Sequence, residues 1–196
     1  MRTLKILAYP ILAFMLSACC EPQLTASYLL TDNEKLLITP VGYDDLVYLV
    51  GTGGRFIATT QPKEDVISTE SEKGEKCSYT EYERMWTFYN FTRQGFAIQV
   101  EINKSPVKSF RLSKFNTDTG SGSEAWFELT CGGNNSIPFE EQTTDISTSG
   151  FNFKDVFVFT NCSKTQDITR IIYSAKNGIE LIEFKNGDYY KLNVLK

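Results

Sequence analysis

From residue 96 onward, apolar and polar residues alternate with a period of two. Phe96, Ile98, Val100 and Ile102 interleave with Ala97, Gln99, Glu101 and Asn103, which predicts a half-buried antiparallel strand with one wet face. Phe110 and Leu112 continue the pattern beyond Pro106, and Phe127, Leu129 and Cys131 alternate with Trp126, Glu128 and Thr130. Upstream, residues 46–50 and 55–59 flank Gly51-Thr52-Gly53-Gly54 and read as a hairpin. No phosphate-loop lysine or helical pattern follows these glycines, so they are turn residues rather than a phosphate cradle. Residues 66–69 form a further short strand. The stretch 79–91 reads two ways: Tyr79, Tyr82, Trp86 and Tyr89 fall at helical spacing, whereas Tyr82, Arg84, Trp86 and Phe88 share a strand face. Its aromatic content favours the strand.

The C-terminal third carries the clearest signal. Phe151, Phe153, Phe157 and Phe159 are placed on one strand face, with Asn152, Lys154, Val156 and Val158 on the other, as core or, in a sharper reading, as a ligand-lining wall. Strands over 168–173, 179–184 and 189–195 are then separated by Lys176-Asn177-Gly178 and Asn186-Gly187. Asn-Gly is a strong hairpin signal, and in a two-residue turn both central residues need φ > 0. The expected fold is all-β: an antiparallel sheet, a meander ending in two Asn-Gly hairpins, curled into a half-barrel or a sandwich. One such domain is expected over 34–196.

The N-terminus follows another pattern. Arg2 and Lys5 precede an apolar run from Ile6 to Leu16, about 16 Å as a helix and too short for a hydrocarbon core of about 30 Å. A basic head with a short apolar run is the form of an export signal. Leu16-Ser17-Ala18-Cys19 then resembles a bacterial lipobox. The resemblance implies a signal peptide over 1–18, a diacylglyceryl group on the Cys19 thiol, and acylation, with palmitate for example, of the new N-terminus. An ordinary signal peptide cut near Ala18 would leave Cys19 and Cys20 as plain thiols, but such a site needs no cysteine here. Residues 19–33, polar and turn-prone around Glu21-Pro22-Gln23, read as a lipidated tether.

Composition then removes functions. The chain of 196 residues has no histidine, which excludes Ser-His-Asp and Cys-His catalysis, His-ligated zinc and imidazole acid–base chemistry. Without residues 1–18, 18 Lys+Arg stand against 24 Asp+Glu, a net charge of −6. That balance argues against nucleic acid and anionic lipid surfaces as partners. Asp44-Asp45 and Glu140-Glu141 are adjacent pairs that point to opposite sides of a strand. Glu81 and Glu83 share a strand face and read as a wet face. The acidic, glycine-bearing loop 116–124 lacks the EF-hand ligand order. No metal site or cofactor is expected. Cys77, Cys131 and Cys162 remain in the body, as buried thiols or with one disulfide. Counting strands up and down places Cys77 and Cys131 at one end of the sheet and Cys162 at the other. The expected bridge is therefore Cys77 to Cys131.

The lipobox, the run Gly150-Phe151-x-Phe153-x-Asp155-Val156-Phe157 and the ending Ile172-Tyr173-Ser174 … Gly178-Ile179-Glu180-Leu181-Ile182-Glu183-Phe184 resemble the uncharacterised small lipoproteins of the Bacteroidota. The resemblance covers 150–190 and the N-terminus and implies an all-β body with a lipid anchor. It carries no residue-level activity. The expected function is a membrane-anchored lipoprotein of the bacterial cell envelope, on the outer membrane or cell surface, with no enzymatic activity, that binds a lipid, glycan or protein partner. The alternatives are a structural or accessory subunit of an envelope complex and, more remotely, a carboxylate-based hydrolase. Tyr82, Trp86 and Trp126 are the candidate partner contacts, because aromatic residues with a polar atom tolerate partial exposure.

Overall fold

The computed structural model describes residues 21–39, 45–71, 77–106, 108–118, 122, 124–131, 137–163 and 167–194. Its elements are β1 (Gln23–Tyr28), α1 (Asp32–Leu36), β2 (Asp45–Val50), β3 (Arg55–Thr60), β4 (Glu64–Ser71), β5 (Ser78–Phe91), β6 (Phe96–Lys104), β7 (Lys108–Asn116), β8 (Ala125–Glu128), β9 (Thr144–Thr148), β10 (Phe151–Asn161), β11 (Ile168–Ser174), β12 (Gly178–Phe184) and β13 (Tyr189–Leu192). The fold is all-β and antiparallel, as the alternation requires. The chain divides into two units, residues up to 27 with 69–81, and residues 28–68 with 82–196.

In the larger unit ten strands close into a barrel in the order β5-β3-β2-β13-β12-β11-β10-β8-β7-β6, with β6 pairing back onto β5. Closure removes the open edges that a half-barrel would leave. The interior is packed with aromatic side chains. Tyr48, Tyr89, Tyr173, Phe91, Phe127, Phe157 and Phe159 are fully buried, and the Phe110 ring meets Phe157 and Phe159 edge-on, both at 5.1 Å between centroids. Gly178 has φ 78°, and a Cβ there would lie 2.0 Å from the Tyr89 hydroxyl, so only glycine fits beside that ring.

Helix α1 packs into the same core. Thr31 caps it: the Thr31 hydroxyl accepts from the Glu34 N–H at 3.2 Å, and the Glu34 carboxylate accepts from the Thr31 N–H at 2.7 Å. Leu30, Leu37 and Ile38 are buried in the barrel core. The Tyr173 hydroxyl donates to the Leu37 carbonyl at 2.8 Å and accepts from the Thr39 N–H at 2.9 Å. Burial pushes the Tyr173 phenol up to about 12. Residues 23–39 are thus strand, capped helix and core rather than a turn-prone tether, and the expected domain start at 34 falls inside the capping box. The signal peptide and Cys19 lie outside the described residues.

The smaller unit contains most of β1, the last residues of β4 and the first of β5. Here β1 runs along β5, with the Gln23 N–H donating to the Cys77 carbonyl at 2.6 Å and the Thr25 hydroxyl to the Tyr79 carbonyl at 3.0 Å.

Five further expectations are corrected. The phenylalanines of β10 do not share a face. Between Phe153 and Val156 one extra residue enters β10, and Asp155 takes φ 54°. A bulge of this kind flips the side-chain alternation. Phe157 and Phe159 therefore enter the barrel, while Phe153 joins Val156, Ile172 and Leu181 in a second core, with Phe151 packed against it. The Asn-Gly turns are wider than two residues: Gly178 and Gly187 have positive φ but Asn177 and Asn186 do not. The Gly187 N–H donates to the Phe184 carbonyl and the Phe184 N–H to the Asp188 carbonyl, both at 3.0 Å, a three-residue loop ending in a glycine bulge. The β11-β12-β13 meander itself is present.

The expected bridge between Cys77 and Cys131 is replaced by one between Cys131 and Cys162, with Cα atoms 5.4 Å apart. Strand β8 stops at Glu128, and β9 leaves the barrel sheet, so β10 pairs directly with β8. Strict meander order fails there, and Cys162 comes beside the turn that holds Cys131. Cys77 is disulfide-bonded as well, to a partner outside the described residues. Finally, β6 has no wet face: Ala97, Gln99 and Glu101 are buried along with Ile98 and Val100. Glu83, read as part of a wet face, is also buried.

Candidate functional site

A filled interior limits what the barrel can hold. Tyrosine and phenylalanine side chains, among them Tyr48, Tyr89, Tyr173, Phe157 and Phe159, fill its centre. At one end a cup of about 390 Å³ opens between Gln94, Phe96, Lys114, Asp118, Phe184 and Tyr190. It is floored by packed rings, and Lys114 is paired with Glu124 at 2.7 Å. Among the described residues no group of His, Cys, Asp and Glu is arranged to hold a metal ion.

The acids buried near α1 are struts. Glu83 accepts from the Leu30 N–H at 2.7 Å and is paired with Lys35. Glu34 is paired with Lys108 at 2.7 Å and Lys104 at 3.1 Å. Burial pushes the Glu34 carboxyl up, but Lys108, the Thr31 N–H and Lys104 together outweigh burial and hold it at about 2. A carboxyl held so low stays ionised and cannot serve as a general acid near neutral pH.

The three candidate contact residues lie on one surface. Along β5, Glu83, Met85, Thr87, Tyr89 and Phe91 are buried, so Tyr82, Arg84, Trp86 and Phe88 alternate onto the outside of the barrel, half-buried except for the more exposed Arg84. On β8, Ala125 and Phe127 are buried while Trp126 is 47% exposed on the outside. Both tryptophans of the chain therefore stand on the outer face of the β5–β8 wall.

Register defines how they are spaced. One row across the strands is Phe88, Gln99, Ser113, Trp126. The next is Trp86, Glu101, Arg111, Glu128. In that second row the Glu101 carboxylate is held between Arg84 at 2.9 Å and Arg111 at 3.3 Å. The Arg84 guanidinium also lies over the Trp86 ring, its Cζ 4.5 Å from the centroid. The Phe88 and Phe115 rings are 5.9 Å apart. Trp126 is fixed from behind: its carbonyl accepts from the Cys162 N–H at 3.1 Å, and Cys162 is tied to Cys131.

Phe88, Gln99, Ser113 and Phe115 were not among the sequence candidates. Phe88 shares the strand parity of Trp86, but which β6 and β7 residues lie beside it depends on cross-strand register, which alternation alone does not give. Comparison of the chain with protein-family models, with curated proteins and with solved structures finds no match.

Proposed function

We propose that this chain is a lipid-anchored, non-catalytic binding protein of a bacterial envelope. Acyl groups on Cys19 hold it to the membrane, and the outward aromatic face of β5–β8 meets its partner. The anchor rests on the basic head, the short apolar run and the lipobox ending at Cys19. The binding reading rests chiefly on one observation: the barrel interior is filled, while both tryptophans lie on one outer wall, Trp126 nearly half exposed. Aromatic side chains of this kind supply large contact area at small entropic cost. Under this reading a thioether to lipid occupies the Cys19 thiol, while Cys131 pairs with Cys162.

Two measurements test the proposal. The Cys19→Ala protein should fail to incorporate labelled palmitate, whereas Cys20→Ser should still incorporate it. Incorporation by Cys19→Ala would overturn the anchor. Photo-crosslinking in intact envelopes should lose its adduct in Trp126→Ala, and an unchanged adduct would overturn the contact face.

A further inference from the structure

The outer wall of β5–β8 contains polar groups as well as rings. Gln99 is 7% exposed and Ser113 is 8% exposed, side by side in register between Phe88 and Trp126. Neither side chain has a hydrogen-bond partner among the described residues. On the adjacent strands Arg84 and Asn103 are register partners; the Arg84 Nε and the Asn103 Oδ1 are both buried without a partner. Buried polar groups in folded proteins are nearly always hydrogen-bonded, because desolvating one without a partner costs about 1–3 kcal/mol. Two such atoms, the Arg84 Nε and the Asn103 Oδ1, lie on this wall beside the amide of Gln99 and the hydroxyl of Ser113, whose tips reach its surface; framed by Trp86, Phe88, Phe115 and Trp126, these groups mark a surface whose hydrogen-bonding capacity is unspent.

We infer that this wall is a glycan-binding platform taking a short run of a neutral oligosaccharide. The inference rests on the contact-face reading above and names the ligand class for it. A primary amide and a hydroxyl each donate and accept, so the ligand must present both donors and acceptors to Gln99 and Ser113. The flanking rings require that it also present apolar C–H faces. A pyranose chain does both, with hydroxyls around the ring edge and C–H groups on its faces. The span fits as well: Phe88 to Trp126 is three interstrand steps, about 14 Å, roughly three sugar rings. Charge points the same way. Arg84 and Arg111 are balanced by Glu101 and Glu128 in and beside the same row, so the wall has no net field to steer a charged partner. A protein hot spot would instead be expected to have an apolar centre without unpaired amides.

Because both tryptophans lie on this wall, intrinsic fluorescence reports directly on its occupancy. The test titrates the full mature protein, in a zwitterionic detergent without a sugar headgroup, with cellohexaose, maltohexaose, xylohexaose and chitohexaose. At least one should shift the emission maximum to the blue. Calorimetric titration should then show Gln99→Ala binding that sugar about tenfold or more weakly and Trp126→Ala not detectably, with melting temperatures close to that of the parent. A sugar-induced shift that both variants retain would place the sugar elsewhere and overturn the assignment. Silence of all four sugars at about 10 mM would also overturn it. The crosslinking result then decides what else falls. If Trp126→Ala loses an envelope protein adduct, the wall is a protein surface and the contact-face reading survives. If the adduct is unchanged, both readings fall.

Discussion

The barrel has two outer walls that the sequence writes in much the same alternating style, yet the chain treats them in opposite ways. Over β10–β13 the outside is sealed. The β9–β10 hairpin covers it, burying Phe153, Val156, Ile172 and Leu181 as a second core. Its turn is latched down: the Thr148 and Ser149 hydroxyls donate to Glu183 at 2.5 and 2.8 Å, and Arg170 donates to the same carboxylate at 2.6 Å. Over β5–β8 the outside is left accessible, with Trp126, Arg84 and Arg111 each more than two-fifths exposed. On the first wall every buried polar group of the latch has a partner, whereas on the second the Arg84 Nε and the Asn103 Oδ1 do not. A sheet face can therefore be apolar for stability or for contact, and the state of its polar groups tells the two apart.

The strongest way to break this comparison is to damage the sealed wall. Phe153→Ala and Phe157→Ala remove side chains from the outer and inner cores, and each should cost about 3–5 kcal/mol in urea denaturation. They sit on opposite sides of the sheet with no shared cavity, so the double variant should be close to additive. A Phe153→Ala cost below about 1 kcal/mol would mean that the hairpin merely rests on the barrel.

Acid should act next, through Glu34. Its carboxyl is held at about 2 against an ordinary value of 4.5. A depressed carboxyl contributes stability that is fully present above its unfolded value and is lost as pH falls toward its folded one. The loss should fall between about pH 4.5 and 2 and reach about 3 kcal/mol at most. Glu183 is also held low: burial raises it, but Arg170, Thr148 and Ser149 outweigh that. It adds a loss of the same sign below its ordinary value. Glu34→Gln should flatten the acid limb of the stability curve, and an unchanged limb would show that the struts around α1 are not what acid removes.

How much of this was readable beforehand differs between the walls. Alternation located most of the strands, and the glycines of the β11-β12-β13 turns fixed their sequence neighbours. Closure was not readable, because it depends on β6 pairing back to β5, and a period of two carries no register. The bulge at Asp155 was hidden by its own arithmetic. Phe151, Phe153, Phe157 and Phe159 keep the same parity in sequence, yet one inserted residue puts the pairs on opposite faces. Thr31-Asp32-Asn33-Glu34 is a legible capping box, but the helix it starts is only five residues long, too short for a helical period to show in the alternation. Of the contact wall, Tyr82, Trp86 and Trp126 could be nominated by residue type, whereas Gln99 and Ser113 become informative only once the structure shows them on that wall without partners.

The smallest expected effect on stability is the most discriminating. Trp126 stands on the outside of β8, with its backbone held by Cys162 and the Ser163 hydroxyl rather than by its ring. Trp126→Ala should therefore shift the unfolding free energy by no more than about 0.5 kcal/mol, the range of an ordinary surface substitution. Trp86 is half-buried beneath Arg84, and its removal strips the packing from a guanidinium that also holds Glu101. Trp86→Ala should cost more, about 1–2 kcal/mol, and Tyr82→Ala should fall between the two. The order matters more than the values. If Trp126→Ala proved as costly as Phe153→Ala, its ring would be sealing a core, and the contrast between a closed wall and an open one would disappear. If it cost almost nothing while envelope crosslinking was lost, the exposed ring would have no structural use to explain it, and contact would be the role left for it.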